Sequence, residues 1–388
     1  MPTPKHVSVG IDIGTYHIKV AVASRDPEGA AIKIIGKGYA ESRGMRHGYI
    51  VNISDVTRSL KRALAQAEKT AGIEIKDAYV SIGGVGLESV KAIGSTIISR
   101  GDNLITDLDL EHALESTENA IPKPLIINRK VLARIPTASK IDGKEILGRP
   151  IGMKGVKFET EVLFVTCFEQ HYNDLIEAVE DAGIRVIDVL AAPLAASVVT
   201  LTKAQKIAGC VLANIGSETV SIVVFENDIP ISLKVFPIGS GAITNDIALG
   251  LQIPLEDAEQ LKRGGIITAD FSRKNLSDIV TARMKDIFGL INAHLKEIHK
   301  EGLLPAGIII TGGGSGITTI EDLAKATLRL PSQIASLYFN SSNYIQDSSW
   351  AVGFGLCRIG LENNHTPTSN SFKEMSLGMM EWVKKFLP

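Results

Sequence analysis

Apolar residues alternate with small or polar ones at Val7, Val9, Ile11 and Ile13, and again at Ile18, Val20 and Val22. Period-two patterning on both sides of Gly14-Thr15 predicts two antiparallel strands joined by a tight turn. Residues 32–40 predict a third strand, and the glycine-punctuated stretch 42–48 a loop. The period then becomes helical. Val56, Leu60, Ala63, Leu64 and Ala67 share one face of a helix capped by Asn52 or Ser54 and running to about residue 71. Residues 78–82 return to a strand pattern and end at Gly83-Gly84.

From 85 to 160 the character changes. A strand over 91–99, a helix opening at Thr106 with acidic residues in its first turn, and strands over 129–136 and 158–167 predict a small inserted α+β module. An amphipathic helix over 171–182 ended by Gly183, a strand over 185–190 and the small-residue run 191–197 follow.

The opening pattern then recurs. Asp12-Ile-Gly-Thr15 has a counterpart in Asn214-Ile-Gly-Ser217, again between two apolar runs. A repeat at this distance implies duplicated domains rather than a solenoid. A third cluster, Gly312-Gly-Gly314, follows the apolar strand pattern that starts at 306, with a helix expected from about Ile317. Helices are also predicted over 253–265 and 277–301, the second with Ile279, Met284, Ile287, Leu290, Ile291 and Leu295 as apolar positions. The polar, proline-containing run 363–371 reads as a linker. Beyond it, Phe372, Met375, Met379, Trp382, Val383 and Phe386 fall on one face of a helix over 372–388, opposite Lys373, Glu374, Glu381, Lys384 and Lys385.

Composition narrows the classes without choosing one. The chain has 388 residues, enough for two or more cores, and its 45% hydrophobic and 22% charged residues are ordinary for a globular protein. A net charge of −2 argues against a nucleic-acid binder that works through bulk positive charge. The three cysteines are far apart and form no metal pattern. No signal-type apolar region follows Lys5 and no run of about 18 apolar residues occurs, so the expected location is cytoplasmic.

The glycine turns carry the chemistry. Gly14 admits close approach of a ligand to the backbone, and the free N–H groups of such a turn make an anion site. Asp12 has the charge to hold a divalent cation against phosphate oxygens, and Lys19 would neutralise phosphates from the other side. Turn chemistry alone would explain one such hairpin. Three strand-to-turn clusters, two of them a repeat, favour a polyphosphate clamped between domains, with glycines passing close to a ring or phosphate.

Asp12-Ile-Gly-Thr15, Asn214-Ile-Gly-Ser-Glu-Thr219 and Thr311-Gly-Gly-Gly-Ser315 resemble the two phosphate loops and the adenosine motif of the actin-like ATPase superfamily. Ser42-Arg-Gly-Met45, the 85–160 module with Ile151-Gly-Met-Lys-Gly-Val156, and the C-terminal amphipathic pattern narrow the resemblance to the FtsA family of bacterial division proteins. The resemblance implies an α/β, two-domain actin-like (duplicated ribonuclease-H-like) fold with an inserted subdomain and a C-terminal amphipathic helix. Its parts would be 1–84 and 161–207 for subdomain 1A, 85–160 for the insert, 208–237 and 301–362 for 2A, and 238–300 for 2B.

It also implies ATP and Mg²⁺ in the cleft, with Asp12 at the metal. Gly14, Thr15, Tyr16 and Lys19 would hold phosphates, and Asn214, Gly216, Ser217 and Thr219 would close over them. Gly239, Glu259 and Lys262 would approach the nucleoside, above Gly312, Gly313 and Gly314. Lys19 matches a phosphate-contacting lysine of several members. Partners would be the FtsZ C-terminal peptide, with Arg283 aligned to an arginine involved there, further copies of the chain in a filament, an anionic membrane surface at the division site and other division proteins. No nucleic acid is expected.

The sequence departs from the superfamily at Asn214, where Asp is usual, and at Glu218, often glycine. An amide supplies no anionic metal ligand, so slow turnover is expected at most. Glu218 is expected to point to solvent, because facing the phosphates it would repel them. Two rivals share the fold: pilus-assembly proteins of the PilM type, which lack such a tail helix, and sugar kinases, which need a catalytic carboxylate that Asn214 does not supply.

Overall fold

The computed structural model describes residues 6–25, 32–267, 271–340, 343–345 and 347–363. The helix expected over 372–388, with Phe372, Met375, Met379, Trp382, Val383 and Phe386, and the linker from residue 364 onward lie outside the described residues.

The first domain opens as the antiparallel meander β1 (Val7–Ile13), β2 (His17–Arg25) and β3 (Ile32–Glu41). The segment read as a loop is in part a hairpin, β4 (Met45–Arg46) and β5 (Tyr49–Ile50), joined by His47-Gly48. Both turn residues have positive φ, 48° and 79°. That double positive φ is the geometry of a two-residue type I′ turn, which sequence patterning cannot read through so short a ladder. Helix α1 (Ile53–Ala71) is capped by Asn52, whose side chain accepts from the Asp55 N–H, and is ended by Gly72 in the left-handed region. Strand β6 (Asp77–Ile82) then joins β1 in parallel.

The insert is a four-stranded sheet with one helix. Its elements are β7 (Glu88–Ile97), α2 (Asp107–Ala120), β8 (Arg129–Ile141), β9 (Lys144–Ile146) and β10 (Lys157–Phe168), in the sheet order β7-β10-β8-β9. The chain returns to the first domain through α3 (Glu169–Glu180), β11 (Arg185–Ala191), α4 (Ala192–Thr200) and α5 (Lys203–Ala208).

The second domain repeats the first. Strands β12 (Cys210–Ile215), β13 (Val220–Glu226) and β14 (Ile229–Phe236) form a meander, followed by α6 (Ser240–Leu251), α7 (Leu255–Lys262) and α8 (Arg273–Glu297). Strand β15 (Gly307–Thr311), α9 (Ile320–Leu328) and β16 (Ser332–Ile334) complete its sheet, and β17 (Leu337–Asn340), β18 (Asn343–Ile345) and α10 (Ala351–Asn363) follow. The sheet orders β11-β6-β1-β2-β3 and β14-β13-β12-β15-β16 are the same arrangement: a meander whose first strand is extended by two further parallel strands in succession. Ile308, Ile309 and Ile310 are all buried, because a parallel strand covered on both faces reads as an unbroken apolar run.

Three expectations shift. Ser272 caps α8, so the helix starts four residues before 277, and Leu290, placed on its apolar face, is 40% exposed. The glycine cluster continues into a 3₁₀ turn (Gly313–Gly316), so α9 begins at Ile320 rather than near Ile317, glycine being a poor helix nucleus. Asn363, read as linker, is the last residue of α10.

Helix α10 leaves the second domain and lies across β1 and β2 beside α4. A Cβ at Gly10 would sit 2.4 Å from the Gly353 carbonyl oxygen, so strand and helix backbones touch there. The Gly14 and Gly216 turns both line the gap between the two domains.

Candidate functional site

A cavity of about 780 Å³ opens between the domains, within the range usual for small-molecule and cofactor sites. Its walls include Asp12, Gly14, Thr15, Tyr16, Lys19, Asn214, Gly216, Ser217, Thr219, Glu259, Lys262, Gly312, Gly313 and Gly314. One expected residue is missing. Gly239 backs the second turn from behind, where a Cβ would lie 2.4 Å from the Ser217 carbonyl oxygen and 2.7 Å from the Glu218 nitrogen. It is a buttress and not a wall.

The two turns are built alike. The Gly14 N–H donates to the His17 carbonyl at 3.2 Å, and the Gly216 N–H donates to the Thr219 carbonyl at 2.8 Å. Before each turn, the acid or amide position pairs across the hairpin with a polar residue: Asp12 opposite Lys19, Asn214 opposite Ser221. The duplicated turns therefore differ in charge. The second is fastened to α6, whose Ser240 and Gly241 N–H groups donate to the Gly216 and Ser217 carbonyls at 2.8 and 2.7 Å.

Asp12 accepts from the Ser81 hydroxyl at 2.9 Å. Burial pushes its carboxyl above the usual range, with Lys19 and Ser81 opposing that shift. A buried carboxylate held this way gains most from a cation, which restores the solvation it has lost. Lys19 donates to the Ser349 carbonyl at 2.5 Å and lies 5.6 Å from the centre of the Trp350 ring. Burial lowers its pKa, while the charges of Asp12 and Asp347 raise it.

On the far wall, Thr244 donates to Glu259 at 2.6 Å, and Lys262 donates to Thr244 at 2.9 Å and to the Ser240 carbonyl at 3.2 Å. Glu259 also accepts from Arg263 at 2.8 Å. Burial opposes ionisation of Glu259, but Lys262, the Thr244 hydroxyl and Arg263 together hold its carboxyl below the ordinary value. The floor is glycine. Gly312 has φ 91° and ψ 175°, and a Cβ there would lie 2.3 Å from the Asn214 side-chain oxygen.

Glu218 does not point freely to solvent, as expected, nor does it line the cavity. Its carboxylate accepts the His47 N–H across the domain gap at 2.5 Å. Sequence reading also missed Ser81, Gly48, Arg263 and the segment from Asp347 to Val352, all in the wall. The glycine pair after β6 was the one local signal for that rim. Nothing local marked Asp347. Arg283, on α8, is outside the cavity and forks onto Asp246 at 2.6 and 3.0 Å.

The comparisons agree with this architecture. The family model described as cell division protein FtsA matches residues 211–355, and the model for the SHS2 domain inserted in FtsA matches 84–166. FtsA of Pseudomonas aeruginosa is 30% identical over 94% of this chain and 91% of its own length. FtsA of Bacillus subtilis is 28% identical over 92% of this chain and 83% of its own. Among solved structures, a chain of a PilM–PilN type IV pilus biogenesis complex aligns with a TM-score of 0.66 at 16% identity, covering 91% of this chain and 98% of that one. MreB5 of Spiroplasma citri bound to ADP aligns with a TM-score of 0.53 at 12% identity, covering 94% and 100%. At those identities the structural likeness shows the fold alone. The duplicated sheets, the insert between β6 and α3 and these matches agree: the chain belongs to the FtsA family of cell division proteins and has an actin-like fold.

Proposed function

We propose that the interdomain cleft binds ATP with Mg²⁺, and that the chain assembles into filaments on the anionic inner face of the cytoplasmic membrane, where it ties FtsZ filaments to the envelope through the FtsZ C-terminal peptide. The observation that carries the nucleotide reading is the convergence of two like-built turns and a glycine floor on one cavity. The amides and hydroxyls of Thr15, Ser217 and Thr219, with Lys19, take the phosphates. Asp12 holds the metal through water, and the metal when bound neutralises phosphate charge. Gly312, Gly313 and Gly314 lie beneath base and sugar, with Glu259 and Lys262 beside the nucleoside.

Asp12 has no carboxylate counterpart at Asn214, which supports slow turnover, with nucleotide acting mainly as a structural ligand. Titration with a fluorescent N-methylanthraniloyl ATP, with and without Mg²⁺, tests the site. No saturable binding would overturn it, and a brisk ATPase rate abolished by Asp12→Ala would overturn the structural-ligand role.

The apolar face of 372–388 supports membrane binding. Three lysines against two glutamates leave it a net +1, so apolar insertion supplies most of the affinity. Co-sedimentation with anionic liposomes should be lost on deleting 372–388, and equal binding would rule out this anchor. For the FtsZ peptide, Arg283 is the candidate on the second domain, and an incoming carboxylate would compete with Asp246 for its fork. Arg283→Glu should weaken peptide binding, and unchanged affinity counts against the assignment.

A further inference from the structure

We propose that Glu218 is an interdomain latch that sets how long a nucleotide stays in the cleft; this rests on the nucleotide reading above. The argument begins at the tip of the β4–β5 hairpin. His47 occupies the left-handed region at φ 48°, a conformation that L side chains rarely adopt. In a two-residue hairpin its amide takes no part in the strand ladder, so it is free to donate elsewhere. It donates to the Glu218 carboxylate, 171 residues away and in the other domain. The His47 ring nitrogen Nδ1 is 4.0 Å from the same oxygen.

Each end of this contact is anchored to the cleft. On the first domain, a Cβ at Gly48 would lie 2.4 Å from the Gly84 Cα, so the hairpin backbone rests directly on the Gly83-Gly84 rim. On the second, Glu218 lies between Ser217 and Thr219, both in the cavity wall, and its turn is bonded to the start of α6. A second interdomain contact involves the other turn. Arg263, following α7, lies 5.9 Å from the centre of the Tyr16 ring. Residues of the two domains thus meet beside each glycine turn, and the Glu218 contact carries a full carboxylate.

Opening the cleft must break the His47–Glu218 bond, and that bond is made in the ligand-free chain, so the latch slows entry as well as release. A hydrogen bond to a charged acceptor is strong enough that its removal speeds release about tenfold. Glu218→Ala removes the acceptor, while Glu218→Gln keeps a carbonyl oxygen for the His47 amide.

The test combines two measurements on the full chain. Stopped-flow release of N-methylanthraniloyl ATP should be about tenfold faster in Glu218→Ala, with Glu218→Gln between it and the parent and association accelerated in the same order. Hydrogen exchange on the ligand-free protein should show the 42–50 segment losing protection in Glu218→Ala but keeping part of it in Glu218→Gln. Lost protection with unchanged release would overturn the latch while leaving the nucleotide site intact. A parent chain that binds no nucleotide would overturn both readings, and the exchange data would still report whether the contact forms.

Discussion

Gly312 and Gly313 are neighbours in the cleft floor, and methyl groups placed on them should have opposite consequences. Gly312 has φ 91° and ψ 175°, a region open essentially to glycine alone, and an added Cβ would meet the Asn214 side-chain oxygen at 2.3 Å and the Ile215 carbonyl oxygen at 2.6 Å. Backbone strain of that kind costs about 1–3 kcal/mol. Overpacking against atoms that cannot retreat adds about 1–3 kcal/mol. The collision is with β12, in the core of the second domain, so the loss is one of folding. Gly312→Ala should lower the melting temperature by roughly 10 °C. Gly313 has nothing within 4 Å of an added Cβ and is exposed to the cavity. Gly313→Ala should melt within about 1 °C of the parent, since a substitution that touches nothing stays within about 0.5 kcal/mol. Its methyl enters the cavity instead, and should weaken N-methylanthraniloyl ATP at least about tenfold. Differential scanning fluorimetry and the nucleotide titration on the same preparations separate the two. A Gly312→Ala protein that melts with the parent would refute the packing argument, and a Gly313→Ala protein of unchanged affinity would refute the floor.

Of the two tryptophans in the chain, Trp350 lines the cavity beside Lys19. In a Trp382→Phe background, nucleotide should therefore shift its emission, and a constant spectrum at saturation would remove Lys19 and Trp350 from the site. Burial lifts Asp188 from an ordinary carboxyl value to about 6. The folded state then binds more protons than the unfolded one between about pH 4 and 6, and stability falls as pH rises through that window. Asp188→Asn should be more stable than the parent at pH 7–8 by about 2–3 kcal/mol, with the difference vanishing below about pH 4 in urea titrations. Asn52→Ala removes the acceptor for the Asp55 N–H at the start of α1 and should cost about 1 kcal/mol in the same assay. At Gly94, a Cβ would lie 2.3 Å from the Thr117 nitrogen on α2. Gly94→Ala should loosen the insert by about 1–3 kcal/mol and raise hydrogen exchange there, while leaving nucleotide affinity unchanged.

Local pattern determined a large part of this protein. Alternation around Gly14 and Gly216 reports strand, turn and strand within a dozen residues, and the helical faces of α1 and α8 repeat at short intervals, so both were legible from neighbours in the chain. The Asp12/Asn214 difference was equally plain, and with it the unequal charge of the two turns. What the sequence could not carry were contacts made by distant segments. Lys19 meets the Ser349 carbonyl across 330 residues, and the Glu218 carboxylate meets the His47 amide across 171. Gly239, read as a nucleoside contact, supports the Ser217–Glu218 backbone instead. Periodicity reports which face of an element is buried, but not what stands opposite it. That is settled only when the two domains pack together and bring distant segments such as the β4–β5 hairpin and the Glu218 turn within bonding distance.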